Sequence, residues 1–470
     1  MGAARHHAWP ALIGLAILAA GCSKPAGTNS TPPGPSEAAS ECPGNADWLD
    51  KTAKLEIEEP VNPSKPTDVF ECGFYQRSWE GFLLAMRPDP ANGKRPAFLG
   101  YATYRSIFGG QVSKNFAAGP LGLAIRTPEE AGPIFDGGII QANSDVVVDQ
   151  NGNPILYSIE IDPVFAKFIT DNQLNNQLHL KDPATHPDLP PGALEIKASW
   201  EIVENPKDFD GYLTTQASVP ALIADTAHPG KVKIDPTAPP KTVTVALLGI
   251  HIVYVLNNHP EMIWATFEHV GLDNVFDLAP PAANLPEKIG DPNQPVAATG
   301  NFRLYAPGAT YAQSNVIPPA LTLAGGKLTP HSSIYRAFPW SQQANPQDSA
   351  DPLKPDPDVK AVNDDMTRIF AKQQVSDFRS HYRLVGAVWL KEGANRFNAP
   401  GTASLNDLAG ETGLSNVSIE SFTQQAAPSG DVTPSAPNCL SCHVRPGGGI
   451  LKGKALGVSH LFLKFATSKP

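Results

Sequence analysis

Residues 242–270 read TVTVALLGIHIVYVLNNHPEMIWATFEHV, and this block decides the fold class. Two runs rich in Val, Ile, Leu and aromatic residues flank Asn257-Asn258-His259-Pro260, a cluster of turn formers, so the block reads as an antiparallel strand pair. With the turn centred near residue 259, odd-numbered residues share one face, His251 stands opposite Phe267 and His269 opposite Gly249. The two histidines are then diagonal neighbours. Gly249 has no side chain, which leaves space beside His269 for something flat. A slip of one residue would undo this, because the side-chain period of a strand is two. The other reading of both histidines is a hydrogen-bonded place in the core.

Outward from this block, the elements alternate in type. Tyr75, Trp79, Phe82, Leu83 and Met86 draw one apolar stripe down a helix, and so do Val362, Met366, Ile369 and Phe370 over 358–374. Residues 96–108 alternate loosely and predict a strand, as do Phe302–Tyr305 and Tyr382–Leu390. Asn151-Gly152, between Asp145–Val148 and Ile155–Glu160, predicts a tight hairpin turn; the same stretch lacks the ligands of a calcium loop. Asp162-Pro163 is a helix start, with Phe165, Phe168 and Ile169 on the buried stripe. Residues 193–203 alternate, with Leu194, Ile196, Ala198, Trp200 and Ile202 facing a core and Glu195, Lys197 and Glu201 facing water. The expected fold class is α+β, mainly antiparallel sheet with peripheral helices and many Pro-rich loops. The 48 prolines fall mostly in those loops, and residues 276–300 carry enough Pro and Gly to mark a boundary. The chain thus divides into lobes over 42–280 and 281–470, meeting near residue 290.

Near the end stands Cys439-Leu440-Ser441-Cys442-His443. Two thiols at this spacing add to the vinyl groups of a haem, and the next imidazole falls under the iron, so the stretch is a c-type haem attachment pattern for one covalent haem c. Zinc needs further ligands, and the other cysteines are far away at 22, 42 and 72. A redox dithiol is placed between a strand and a helix, whereas this pair lies between Pro437-Asn438 and Arg445-Pro446-Gly447. No methionine follows His443, so the small cytochrome arrangement with a downstream Met ligand does not apply. His460 is the first candidate for the sixth position, with His269 and His251 as weaker long-range candidates and Met366 and Met262 weaker again; an open or water-bound position is the other reading.

The N-terminus supplies an address. An apolar run, Ala11–Ala20, is too short for a permanent span and reads as a secretory signal, 1–21. Ala19-Ala20-Gly21 before Cys22 resembles the lipobox of bacterial lipoproteins, which implies lipidation of Cys22, a membrane anchor and a place in the periplasm or cell envelope, with Ser23 implying the outer membrane. An ordinary cleaved signal is the alternative. Residues 22–41 are small, polar and Pro-rich and form a disordered tether. Once lipid and haem are assigned, Cys42 and Cys72 remain, and in an oxidising compartment they form a disulfide worth about 3–4 kcal/mol in the chain-entropy model.

Net charge is -10 with no basic cluster, so nucleic acid is not an expected partner. Zinc-protease, nucleophile-elbow, Walker and dinucleotide motifs are absent from the sequence. Together, ALLGIHIV, WATFEHV, SNVSIESF, CLSCH and GVSHLF, in this order, resemble a family of large exported bacterial monohaem proteins, the cytochrome c family proteins. The resemblance implies haem c held by Cys439, Cys442 and His443, and no further catalytic residues. Electron transfer to a periplasmic redox partner is the first functional expectation. A peroxidase- or oxygenase-like haem enzyme and a haem-based sensing module are the alternatives.

Overall fold

The computed structural model describes the chain from Cys42, apart from residues 51–53, 63–64, 70, 90–94, 109–120, 123, 127–137, 140–144, 182–186, 273–292, 294, 337–355, 392–407, 412–413, 424–438, 444–454, 460, 463–464 and 466–470. The signal, the tether, Cys22 and His460 therefore lie outside the described residues.

An eleven-stranded, mainly antiparallel sheet organises the molecule. Its strands are β1 (Ala102–Thr103), β2 (Leu121–Gly122), β3 (Ala124–Arg126), β4 (Gly138–Ile139), β5 (Leu156–Ile161), β6 (Leu194–Ile202), β7 (Thr214–Val219), β8 (Lys241–Leu256), β9 (His259–His269), β10 (Tyr382–Leu390) and β11 (Leu408–Gly410). They lie side by side in the order β11-β10-β9-β8-β6-β5-β3-β4, with β7 also on β8, β2 on β7 and β1 on β5. Among the described residues only β2–β7 and β3–β4 pair in parallel.

The β8–β9 hairpin forms as the sequence predicts, but its register does not. The turn is Asn257-Asn258, where Asn258 takes a φ of 66° that asparagine tolerates. Beyond the turn, Leu256 pairs with His259 and Tyr254 with Ile263, so Val255 is matched against Pro260, Glu261 and Met262 in a bulge. Pro260 thus sits where no ladder donor is needed. The result is a one-residue shift: His251 opposes Thr266, and Gly249 opposes Glu268. His269 pairs with Tyr382 on the far side of β9 and emerges on the opposite face from His251.

One face of the sheet packs against α1 (Glu71–Met86) and α5 (Pro357–Lys372). The α1 stripe is buried as expected: Phe82 stacks on Phe267 at 4.3 Å and Trp79 meets the same ring edge-on at 5.0 Å. Gly81 permits this approach, since a Cβ there would come within 2.9 Å of Ile252 Cγ2. Asp356 caps α5 by accepting from the N–H groups of Asp358 and Val359. Asn363 then pins the helix to β10, its amide reaching Leu384 O at 2.8 Å and Leu384 N at 3.0 Å. Met366 lies in this core, away from the other face. Near the start of the described chain, Cys42 and Cys72 form a disulfide with Cα atoms 5.5 Å apart.

Three shorter helices fall between the strands: α2 (Tyr104–Phe108), α3 (Pro163–Asp171) and α4 (Gln177–Leu180). Asp162 caps α3 as its sequence dictates, accepting from the N–H groups of Val164 and Phe165. Asn151-Gly152 is the expected tight turn, with Gly152 at φ 78° and Asp149 N–H donating to Asn153 O at 2.8 Å.

Three expectations are corrected. Residues 96–108 fold as a 3-10 turn over Ala97–Gly100, the short β1 and then α2, because their loose alternation never sustains one period. Phe302–Tyr305 is irregular, and Leu304 and Tyr305 are buried without joining a sheet. The boundary near residue 290 does not divide the fold: β10, from the later part of the chain, pairs directly with β9 from the earlier part, and Ser40–Pro470 is one unit. Among the described residues no helix is long and apolar enough to cross a membrane.

Candidate functional site

The second face of the sheet was expected to meet water through Glu195, Lys197 and Glu201, and this is corrected as well. Glu195 and Glu201 are 7% and 1% exposed. Later segments, 414–423, 456–459 and 461–462 among them, lie across this face, so the alternating polar residues of β6 form a buried seam.

Across the strands a straight row of partners runs Ile161, Glu195, Val253, Trp264, Val388. It forms the floor of an apolar cluster with Val385, Leu414, Leu456, Val458, Leu461 and Phe462. Onto this floor docks α6 (Cys439–His443), a single turn that drives Leu440 fully into the cluster and leaves Cys439 half-buried at its margin. Cys442 occupies the same turn.

His443 closes the turn. Its ring lies 3.9 Å from the Trp264 ring, centroid to centroid, inclined by 40°. Its Nδ1 is 2.8 Å from the carbonyl oxygen of Val458. A carbonyl only accepts, so Nδ1 carries the proton and donates, and the lone pair resides on Nε2. This is how a protein prepares an imidazole to bind a metal through Nε2: the outer hydrogen bond fixes the tautomer and raises ligand basicity. The donor set therefore fits a c-type haem. His443 would be the axial ligand, the two cysteines precede it on one turn, and an apolar floor lies below. Among the described residues no group of three or more His, Cys, Asp or Glu is arranged around a bare metal ion. A porphyrin brings four nitrogen donors and asks only the axial positions of the protein.

The other candidate ligands separate. His251 lies on the same face as Trp264, but its Nε2 donates to Glu420 Oε1 at 2.9 Å, with Lys197 Nζ 3.9 Å from the same oxygen. Burial would push the Glu420 carboxyl upward; the nearby His251 and Lys197 outweigh it and bring it down to about 2. His269 sits on the opposite face, five positions along β9 from Trp264, a separation of about 16 Å at the usual strand rise. There it stacks on Tyr212 at 3.4 Å, accepts from Gly271 N–H at 2.8 Å, and faces His381 at 5.8 Å. Burial first, and the neighbouring His381 and Arg303 next, push its imidazole down to about 3. Met262 is buried in the same cluster as Trp264.

Several residues of the site escaped the sequence reading: Trp264, Glu195, Val458, Ser459, Asn416 and Glu420. The space expected beside Gly249 is filled by Asn416 and Ser418, whose side chains would lie 2.5 and 2.9 Å from a Cβ at Gly249. Asn416 Nδ2 donates to Thr266 Oγ1 at 2.8 Å, and Val417 N–H to Glu268 Oε1 at 2.8 Å. Glu268 is also ion-paired with buried Arg336. Ser459 Oγ donates to Glu195 Oε2 at 2.7 Å, and burial pushes that carboxyl up to about 7. The five short pieces quoted from the sequence thus meet on one face of one sheet, Gly249 and His251 touching Asn416 and Glu420, and Trp264 touching His443, which Val458 holds. Comparison with protein-family models, with curated proteins and with solved structures gives no match.

Proposed function

We propose that this chain carries one haem c, joined by thioethers to Cys439 and Cys442 with His443 as axial ligand, and passes single electrons to a partner in the periplasm while a lipid on Cys22 tethers it to the membrane. The observation that carries the reading is the 2.8 Å contact from His443 Nδ1 to the Val458 carbonyl, directly after a Cys-x-x-Cys pair. When bound, the haem supplies a one-electron couple. The chain's own residues hold the imidazole in one tautomer and cover the site with apolar side chains.

A haem enzyme is the second reading. It is favoured by the engagement of both described long-range histidines, His251 by Glu420 and His269 on the far face. Such engagement leaves the sixth position to His460 or to a small ligand.

The test is production of the full chain with a cytochrome c maturation system. Intact mass should rise by one haem, denaturing gels should keep a peroxidase-staining band, and His443→Ala should lose the low-spin spectrum. Absence of added mass on the peptide containing Cys439 and Cys442 overturns the reading. Carbon monoxide binding to the reduced wild type decides for the enzyme over the carrier.

A further inference from the structure

We propose that Trp264 is the positioning residue of the haem site: its indole sets the plane of the His443 imidazole, so that the protein chooses the orientation of the axial ligand. The inference rests on the haem reading above and deepens it.

Two neighbours restrain the His443 ring in complementary ways. The Val458 carbonyl fixes one nitrogen at 2.8 Å, which still allows the ring to swivel about that hydrogen bond. Trp264, 3.9 Å away, removes the swivel by closing one face of the ring.

Trp264 can do this because it is itself immobilised. Its cross-strand partners Val253 and Val388 flank it, and it is 5% exposed. Its Nε1 points at Glu261 O, 3.4 Å away. Immediately upstream the backbone takes an unusual course: Met262, fully buried, has a φ of 66°. A non-glycine residue in that region persists only when its surroundings over-determine it, and such residues gather at functional sites. Here the surroundings are visible. His259 Nδ1 contacts Glu261 Oε1 at 2.8 Å and its Nε2 contacts Glu59 Oε1 at 3.2 Å, so a Glu-His-Glu chain, with His259 and Glu261 buried and Glu59 at its outer end, clamps the bulge from which Trp264 projects. A strand with ordinary geometry would need none of this. The bulge adds two residues and so preserves the facing set by the turn at Asn257-Asn258, which places Trp264, and not His269, on the face of α6.

The test compares the full-length holoprotein with Trp264→Phe and Trp264→Leu, all matured identically and checked by intact mass for one haem. Low-temperature electron paramagnetic resonance of the ferric form reads the axial imidazole plane, and a redox titration reads the midpoint potential. The wild type should give one sharp set of g-values. Trp264→Leu should shift and broaden it and move the potential, and Trp264→Phe should do the same to a smaller extent. A Trp264→Leu holoprotein with wild-type g-values and potential overturns the inference while leaving the haem reading intact. If that variant does not fold, an unchanged Trp264→Phe overturns it equally. A wild type without haem mass overturns the haem reading and this inference with it.

Discussion

His251 and His269 belong to the two strands of one hairpin, yet they emerge on opposite faces of the sheet. The two-residue turn at Asn257-Asn258 is the cause: it pairs Leu256 with His259, so odd-numbered residues of the first strand oppose even-numbered ones of the second, and the bulge, which adds two residues, keeps that parity. His251 belongs to the polar seam near α6; His269 belongs to a ring stack with Tyr212 and His381.

His269→Ala should therefore leave the absorption spectrum of the holoprotein unchanged. It should cost about 1–3 kcal/mol of stability, from the lost ring stacking and a hydrogen bond to Gly271 N–H left without its acceptor. Spectra and urea titration of the same preparation check both halves. A change in the haem bands would return His269 to the ligand set.

Glu420 should govern the acid limb of the stability curve. Its carboxyl titrates at about 2 in the folded chain. In the unfolded chain it titrates at about 4.3. The folded pKa is depressed, so the contribution is present above the unfolded value and is lost as pH falls from about 4 towards 2, up to about 3 kcal/mol. Glu420→Gln should flatten this slope in melts recorded between those pH values, and an unchanged slope would refute the assignment.

Glu195 has the opposite sign. Its folded carboxyl is raised to about 7. The neutral acid is favoured by the fold, so its contribution is complete below the unfolded value of about 4.3 and is lost as pH rises through about 7, by roughly 3–4 kcal/mol. Glu195→Gln, which stays neutral, should melt above the wild type at pH 8 and near it at pH 4. Glu201, about 8 in the fold, should add to the same alkaline loss in the wild type.

Gly249→Ala should be disruptive although the residue is on a regular strand. The new Cβ would lie 2.5 Å from Asn416 Nδ2 and 2.9 Å from Ser418 Oγ. Overpacking of this kind costs about 1–3 kcal/mol. The lid formed by 415–418 should loosen, which hydrogen exchange at Val417 N–H, donor to Glu268, would report.

The two long helices, the central hairpin, the Asp162 cap and the turn at Gly152 follow from periods and capping residues that act over a few positions, and they were legible for that reason. Residues 96–108 misled because short elements of changing type leave no sustained period.

What the sequence by itself determined is thus the helices and strands whose period is sustained, with their local turns and caps. Tertiary structure alone decided which face each residue of those strands serves. A strand's side chains reverse with every one-residue slip, so a turn closed at Asn257-Asn258, where Leu256 pairs with His259, is enough to send His269 away from α6 and Trp264 towards it. The alternation of Glu195, Lys197 and Glu201 is the same whether water or protein covers it. Only the return of the segments carrying Glu420 and Ser459 turned that face into a buried polar seam.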